Sequence, residues 1–414
     1  MKRRHFLGYL ATAAAAAAGG CAPASKRSAA AGEGPRERPN IIFILADDLG
    51  YGDLGCYGQK RLRTPILDAL AAEGVRFTQH YAGSTVCAPS RFTVMTGCHI
   101  GHATTAGQGQ CLEPERVTVA ECLKAAGYAT ACIGKWGLGE DGTTGVPRKQ
   151  GFDRFFGYLN QVHAHNYYPA WIWRDDEKVR LRNEVVTATK GYAKGRGGAS
   201  TKRVDYSHDL MTAEALDFID RHHDRPFFLY LPYTIPHANN EHHVVGRHGM
   251  EVPDLGPFAG EDWPEPEKGF AAMVHRMDRD IGRIIDRLKA RGIAGDTLVL
   301  FSSDNGPHKE GQHDPAFFDS GGPLRGIKRD LYEGGIRVPT IAWWPGRIAP
   351  GRTSDHLSAF YDFLPTACEV AGVAPPDGID GISYLPELLG EAQPTHDYLY
   401  WEFPSRAGKR AVRS

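Results

Sequence analysis

The chain has almost no net charge. Its 48 lysines and arginines meet 49 aspartates and glutamates, leaving −1 over 414 residues. Without a basic surplus there is no electrostatic footprint for nucleic acid, so any anionic ligand must be met by a local cluster of cations. Cysteine is sparse as well: eight residues, no two of them in a C-x-x-C pair. That removes the usual paired-thiolate metal site. No internal repeat is visible, which argues against a stacked-repeat architecture. Hydrophobic residues make up 42% of the chain, enough for one large core and a smaller subdomain, and 49 glycines suit many tight strand-to-helix turns.

The N-terminus has the order of an export signal. Lys2-Arg3-Arg4-His5-Phe6-Leu7 is a basic region with a twin arginine, and an alanine-rich apolar stretch follows through Ala18. Ala18-Gly19-Gly20-Cys21 then has the form of a bacterial lipoprotein cleavage box, with alanine where leucine is more usual. Lipid attachment at Cys21 and plain cleavage are both open readings. Both remove the signal (residues 1–21) and send the protein to the periplasm or cell envelope, so the membrane is met only through a lipid at Cys21. Residues 22–38 have the composition of a flexible tether. Cys56, Cys98, Cys111, Cys122, Cys132 and Cys368 are compatible with disulfides or with buried thiols.

Asn40-Ile41-Ile42-Phe43-Ile44-Leu45-Ala46 is a continuous apolar run, the mark of a strand buried on both faces of a parallel sheet. Pro226–Leu231 and Thr297–Ser302 repeat it. Between them, Leu210, Ala213, Leu216, Phe218 and Ile219, and then Val274, Met277, Ile281, Ile284, Ile285 and Leu288, follow helical spacing. Such alternation predicts an α/β fold, a mostly parallel sheet with helices on both faces. In such sheets ligands gather beyond the carboxyl ends of the strands. Asp47-Asp48, Asp304-Asn305 and His237 all fall there, which predicts one shared site.

Asp47, Asp48, Asp304 and Asn305 offer only oxygen donors. Singly, each is an ordinary helix cap or turn residue; as two pairs at strand ends they favour Ca²⁺, or less well Mg²⁺, over zinc. Cys87, in Cys87-Ala88-Pro89-Ser90-Arg91, precedes a helix expected through Ser90–Met95. Amide dipoles and Arg91 there predict a thiolate of depressed pKa. Alone, Cys87 is as readily a small packed thiol.

Together these segments resemble the sulfatase family. Cys87-Ala88-Pro89-Ser90-Arg91 with Thr96-Gly97, Gly134-Lys135-Trp136-Gly137-Leu138-Gly139, Ile235-Pro236-His237-Ala238 and Gly326–Pro339 carry the resemblance, which covers about residues 38 to 385. It implies an alkaline-phosphatase-like sheet in a catalytic domain (39–350) and a partial C-terminal antiparallel subdomain (351–414), cut short with one edge uncovered. It further implies oxidation of Cys87 to formylglycine by a formylglycine-generating enzyme, and a calcium ion held by Asp47, Asp48, Asp304, Asn305 and position 87. Arg91, Lys135 and Lys328 become sulfate-binding cations, and His237 protonates the departing ester oxygen. A hydrated aldehyde attacks sulfur, and its second hydroxyl expels the sulfate; Cys87→Ser would lack that exit.

This chain departs from the family pattern at Gly137, where a histidine is expected, and at Asn239, where a proline is common. His163 or His165 is a candidate to fill the gap at 137. The segment with Tyr158, Gln161, Tyr167, Tyr168, Trp171 and Trp173 suits stacking on sugars, and His308 and His313 are candidates to reach the substrate. Arg325 is a weaker cation and Arg337 a loop brace. The resulting expectation is hydrolysis of a sulfated small molecule or polysaccharide. The rivals are a phosphate or phosphonate monoester hydrolase on the same scaffold and a non-catalytic lipoprotein that binds sulfated glycans.

Overall fold

A computed structural model describes residues 38–103, 111–403 and 408–414. The signal, the tether and Cys21 lie outside these except for Arg38. Ten strands form the central sheet, in the order Arg352–Ser354, Val75–Phe77, Thr340–Trp343, Thr297–Ser303, Asn40–Ala46, Phe227–Pro232, Ala129–Lys135, Arg154–Tyr158, Trp171–Arg174, Glu177–Arg180. The five strands from Thr297–Ser303 to Arg154–Tyr158 are parallel throughout. Antiparallel pairs occur on either side of them. The continuous apolar runs are therefore central strands, and all three match their predicted spans to within one residue.

Alternation along the strand Asn40–Ala46 builds two cores. Ile42, Ile44 and Ala46 pack on one face, against Met211, Ala215 and Ile219 of helix Ser207–His222 and Met277, Ile281 and Leu288 of helix Glu265–Ala290. Ile41, Phe43 and Leu45 pack on the other, against Phe92 and Met95 of helix Cys87–Thr96, Leu123, and Phe363 and Leu364. Side chains pointing alternately up and down require apolar cover on both sides, and the amphipathic helices supply it.

The C-terminal hairpin pairs Leu399–Phe403 with Lys409–Arg413, antiparallel. Trp401 anchors it, fully buried against Tyr81 and donating its indole N–H to the carbonyl of Ala82 at 2.7 Å. Residues 351–414 also send Arg352–Ser354 into the large sheet. All seven cysteines among the described residues are unbridged. No helix among them is long and apolar enough to cross a membrane.

Candidate active site

Parallel pairing puts the carboxyl ends of the strands side by side. Ala46 lies opposite Ser303, so the next residues, Asp47 and Asp304, leave the sheet together. The Asp304 N–H still donates to the Ala46 carbonyl at 3.0 Å. Asp48 has a left-handed backbone (φ 68°), a conformation that aspartate tolerates better than most residues. Its N–H donates to Asp304 Oδ1 at 3.1 Å, and Asn305 Nδ2 donates to Asp48 Oδ1 at 2.7 Å. Lys135 arrives as the last residue of its own strand, and His237 from the loop after Phe227–Pro232.

Three buried cations face three buried carboxylates. Arg91, fully buried, bridges two of them: its guanidinium lies 2.8 Å from Asp304 Oδ2 and 3.3 Å from Asp47 Oδ2. Lys135 Nζ sits 2.6 Å from Asp47 Oδ2, and Lys328 Nζ 2.7 Å from Asp48 Oδ2. Burial works against such charges, and at Arg91, Lys135, Lys328 and Asp47 the pairing outweighs it. Burial opposes the charge of Asp47, but Lys135 foremost among its neighbours holds the carboxyl well below the usual range. Burial likewise opposes the charge on Lys328, and Asp48 more than restores it. Asp304 is pushed up to about 7, by burial first and by the neighbouring charge of Asp47 second.

Cys87 opens the helix Cys87–Thr96 at its first residue, three positions earlier than expected. The thiolate expectation is overturned. Burial pushes the Cys87 thiol well up, and Asp304 and Asp47 push it further. Arg91 is engaged by the carboxylates rather than by sulfur, and Sγ donates to Asp47 Oδ1 at 3.2 Å. Cysteine at this position is therefore a protonated, buried thiol and not an activated nucleophile.

His237 Nδ1 donates to the Ala238 carbonyl at 2.6 Å, which leaves Nε2 as the acceptor for Lys328 Nζ at 3.0 Å. Burial and then Lys328 hold its imidazole well below the ordinary range, so it is neutral. His165 stacks on it with ring centroids 4.8 Å apart and bonds Glu241 at 3.0 Å. Glu310 escaped the sequence reading: its carboxylate lies 3.6 Å from Lys328, 3.8 Å from His237 and 2.5 Å from Arg329. Its signal was its place two residues beyond His308 in the same loop after a strand, since a carboxylate there is well placed to reach the basic cluster.

Other candidates fall elsewhere. His163 does not approach position 137; it packs between Tyr158 and Trp171, outside the catalytic pocket. Gly137 itself has φ 81°, and a Cβ there would meet Gln161 Cγ at 3.0 Å, so this turn is shaped for glycine. His308 is fully buried, with both nitrogens bonded to protein, at the Pro236 carbonyl and the Glu310 N–H. His313 is buried on Glu267 and stacks on Phe270, so it belongs to the core. Arg325 stacks on Tyr332, and Arg337 pairs with Glu333 and bonds the Thr78 carbonyl, the brace expected of it.

A pocket of about 480 Å³ opens over Cys87, His237 and Lys328, with Gln161, His165, Lys190 and Arg329 on its walls. A buried thiol, three buried cations and an acidic cluster thus lie together at the ends of the parallel strands. The family model for Sulfatase matches residues 39–373.

The chain belongs to the sulfatase family.

It is 34% identical to the steryl-sulfatase of Mus musculus, over 90% of this chain and 68% of that one. It is 35% identical to arylsulfatase A of Homo sapiens, over 91% of this chain and 72% of that one. Membership makes this sulfatase a sulfuric ester hydrolase. Among solved structures, Ps i-CgsB in complex with k-i-k-neocarrahexaose superposes with a TM-score of 0.75 at 27% identity, covering 91% of this chain and 82% of its own. The phosphonate monoester hydrolase of Agrobacterium radiobacter shares the fold at 20% identity and a TM-score of 0.61, over 89% of this chain and 81% of its own.

The acidic cluster fits a divalent cation. One ligand atom each from Asp47, Asp48, Cys87 and His237 lie within 4.8 Å of one another. Asn305 Oδ1, buried beside them, has no hydrogen-bond partner although its Nδ2 has two. An orphaned carbonyl oxygen next to carboxylates is what a hard cation would satisfy.

Proposed function

We propose that the protein hydrolyses sulfate monoesters of a carbohydrate, with position 87 matured to formylglycine and calcium held by Asp47, Asp48, Asp304 and Asn305. The observation that carries this reading is the convergence of Cys87, Arg91, Lys135, His237 and Lys328 on the carboxyl ends of adjacent parallel strands, beside an acidic cluster. Cys87 lines the pocket with its Sγ on Asp47, where a modified side chain would face the bound ester. Formylglycine would supply a nucleophilic hydroxyl on its hydrated carbon, and calcium would polarise the bound sulfate.

The rest is the work of this chain's own side chains. Lys328 and Lys135 offer fixed positive charge to the sulfate oxygens in a site from which water is largely excluded. Arg91 keeps Asp47 and Asp304 oriented as a unit, since the planar fork of a guanidinium fixes the geometry of both carboxylates. His237 accepts from Lys328 and so aims the ammonium at the pocket. The departing alcohol would take its proton through the Lys328–His237 pair, which lines the pocket. Carbohydrate is favoured as the alcohol by the hydrogen-bonding side chains of Gln161, His165 and Lys190 on the pocket walls, and i-CgsB, a structural relative, was captured with k-i-k-neocarrahexaose. The basic and alanine-rich N-terminus supports export, with Cys21 as the lipid-bearing residue.

Mass spectrometry of the peptide containing Cys87, from protein made with a formylglycine-generating enzyme, is expected to show conversion of the thiol to the aldehyde. Paired assays are then expected to show turnover of an aryl sulfate at least a hundredfold above the matching aryl phosphate. An intact thiol in protein that nevertheless turns over sulfate esters would sink the reading, and preference for phosphate would transfer it to the phosphomonoesterase rival.

A further inference from the structure

Two cysteines that the sulfate chemistry leaves unused meet behind the active site. Cys122 belongs to helix Val119–Ala125 and Cys368 to helix Phe363–Val370, and these two helices pack on each other. Their unbridged thiols share a hydrogen bond across that contact, although they come from distant parts of the chain. Cys368 is fully buried in the apolar layer on this face of the sheet, whereas Cys122 is half-buried and packs against the same layer. Cys98 and Cys111 are met differently. Cys98 Sγ lies against the carbonyls of Thr96 and Gly378 and the Arg116 guanidinium, and Cys111 Sγ against the Leu112 carbonyl and the Thr144 hydroxyl.

The pair divides its roles. Cys368 donates to Cys122 and so lowers the pKa of the half-buried thiol against the effect of burial, while the same bond first and burial second push Cys368 up. A reachable thiol that ionises first, beside a buried one, is the arrangement of an attacking and a resolving cysteine.

We propose that Cys122 and Cys368 close into a disulfide that staples the C-terminal part of the chain to the layer behind the active site. Export, as proposed above, delivers the chain to a compartment where disulfides persist. The oxidant is a small-molecule disulfide of the glutathione class. Cys122, as thiolate, attacks one of its sulfurs, the S–S bond of the oxidant breaks, and one glutathione leaves as thiolate. Cys368 then loses its proton, attacks the Cys122 sulfur of the mixed disulfide and expels the second glutathione. Two protons and two electrons pass from the pair to the oxidant, which ends as two thiols.

The bond acts on the site through packing. Helices Val119–Ala125 and Phe363–Val370 both pack on helix Cys87–Thr96, which carries Cys87 and Arg91, and the first of them leads into strand Ala129–Lys135. A cross-link here holds together the scaffold of three site residues, and by closing a long loop it restricts the unfolded chain.

The test uses the purified enzyme, equilibrated with oxidised glutathione, alkylated in denaturant and digested without reduction. Peptide mapping is expected to show Cys122 and Cys368 joined, with two hydrogens missing from the summed mass and restored by dithiothreitol. Oxidation is expected to raise Tm by several degrees over the same enzyme kept in dithiothreitol. Cys122→Ser should abolish that gain, because a hydroxyl cannot form the bond. Recovery of both cysteines as alkylated thiols, linkage of either to a different cysteine, or equal Tm values for oxidised and reduced enzyme overturns the proposal. No sulfate ester enters the measurement, so the result stands apart from the hydrolase reading and is decided even in protein that turns over none.

Discussion

Arg91 has no counterpart among the other site residues, because it alone contacts two buried carboxylates. Replacing it by lysine keeps the charge and loses the fork; Asp47 keeps Lys135, so Asp304 is the carboxylate whose pairing is weakened in the interior. Leaving a buried charge uncompensated costs about 3–5 kcal/mol. Arg91→Lys is therefore expected to lose several kcal/mol in urea unfolding and most of its kcat; an unchanged unfolding midpoint would show that the bridge is dispensable. A second residue, outside the catalytic pocket, contributes to acid sensitivity. His80 is buried among Phe77, Phe360 and Tyr384, bonds Ser358 at 2.8 Å, and is held down to about 3, by burial first and by His356 second. The unfolded chain takes up a proton there near pH 6.5 that the folded chain refuses. The stability it contributes is thus complete above that pH and is lost as pH falls toward 3, at up to about 1.4 kcal/mol per pH unit. His80→Phe should flatten the fall of Tm between pH 6.5 and 5; an identical slope would assign the acid sensitivity elsewhere.

Elements rather than single groups decide what happens at Gly137. The strand Ala129–Lys135 ends at Lys135, and the chain must turn at once to bring Leu138 into the core. The left-handed conformation at 137 makes that turn, and Gln161 closes the space where a side chain would go. Gly137→Ala is expected to cost about 1–2 kcal/mol from the left-handed backbone alone and to raise KM for an aryl sulfate by displacing Gln161 from the pocket. A midpoint of unfolding equal to wild type would refute the strain. The turn at 137 thus has no room for the family's histidine, and of the two histidines offered in its place His165 lines the pocket, because the short helical turn His163–His165 points its two histidines to opposite sides.

Across the whole molecule, the acidic cluster joins parts of the chain more than 250 residues apart, as in the Asp48–Asn305 bond. A cation bound there would favour the folded state over the unfolded one, where no such cluster exists. Calcium at a hundred times its dissociation constant is expected to add about 2.7 kcal/mol, seen as a Tm that rises with calcium and falls on chelation. A Tm indifferent to both would remove the ion from the account. Magnesium should raise it less, since it gives up its waters reluctantly.

The sequence by itself determined the layers and the position of the site in the fold. Uninterrupted apolar runs become central parallel strands because only a strand covered on both faces can bury every residue, and polar residues ending those runs must then gather at one edge of the sheet. Cys87, Arg91, Lys135, His237 and Lys328 were legible for that reason together with their motifs. Only the tertiary structure decided how their charges are arranged. The protonated state of Cys87, the dual grip of Arg91 and the neutral His237 depend on burial and on neighbours brought from distant segments. The sorting of His163, His165, His308 and His313 between pocket and core was likewise beyond reach, since local spacing does not encode which way a loop side chain faces, and Glu310 was signalled only by its place two residues after His308.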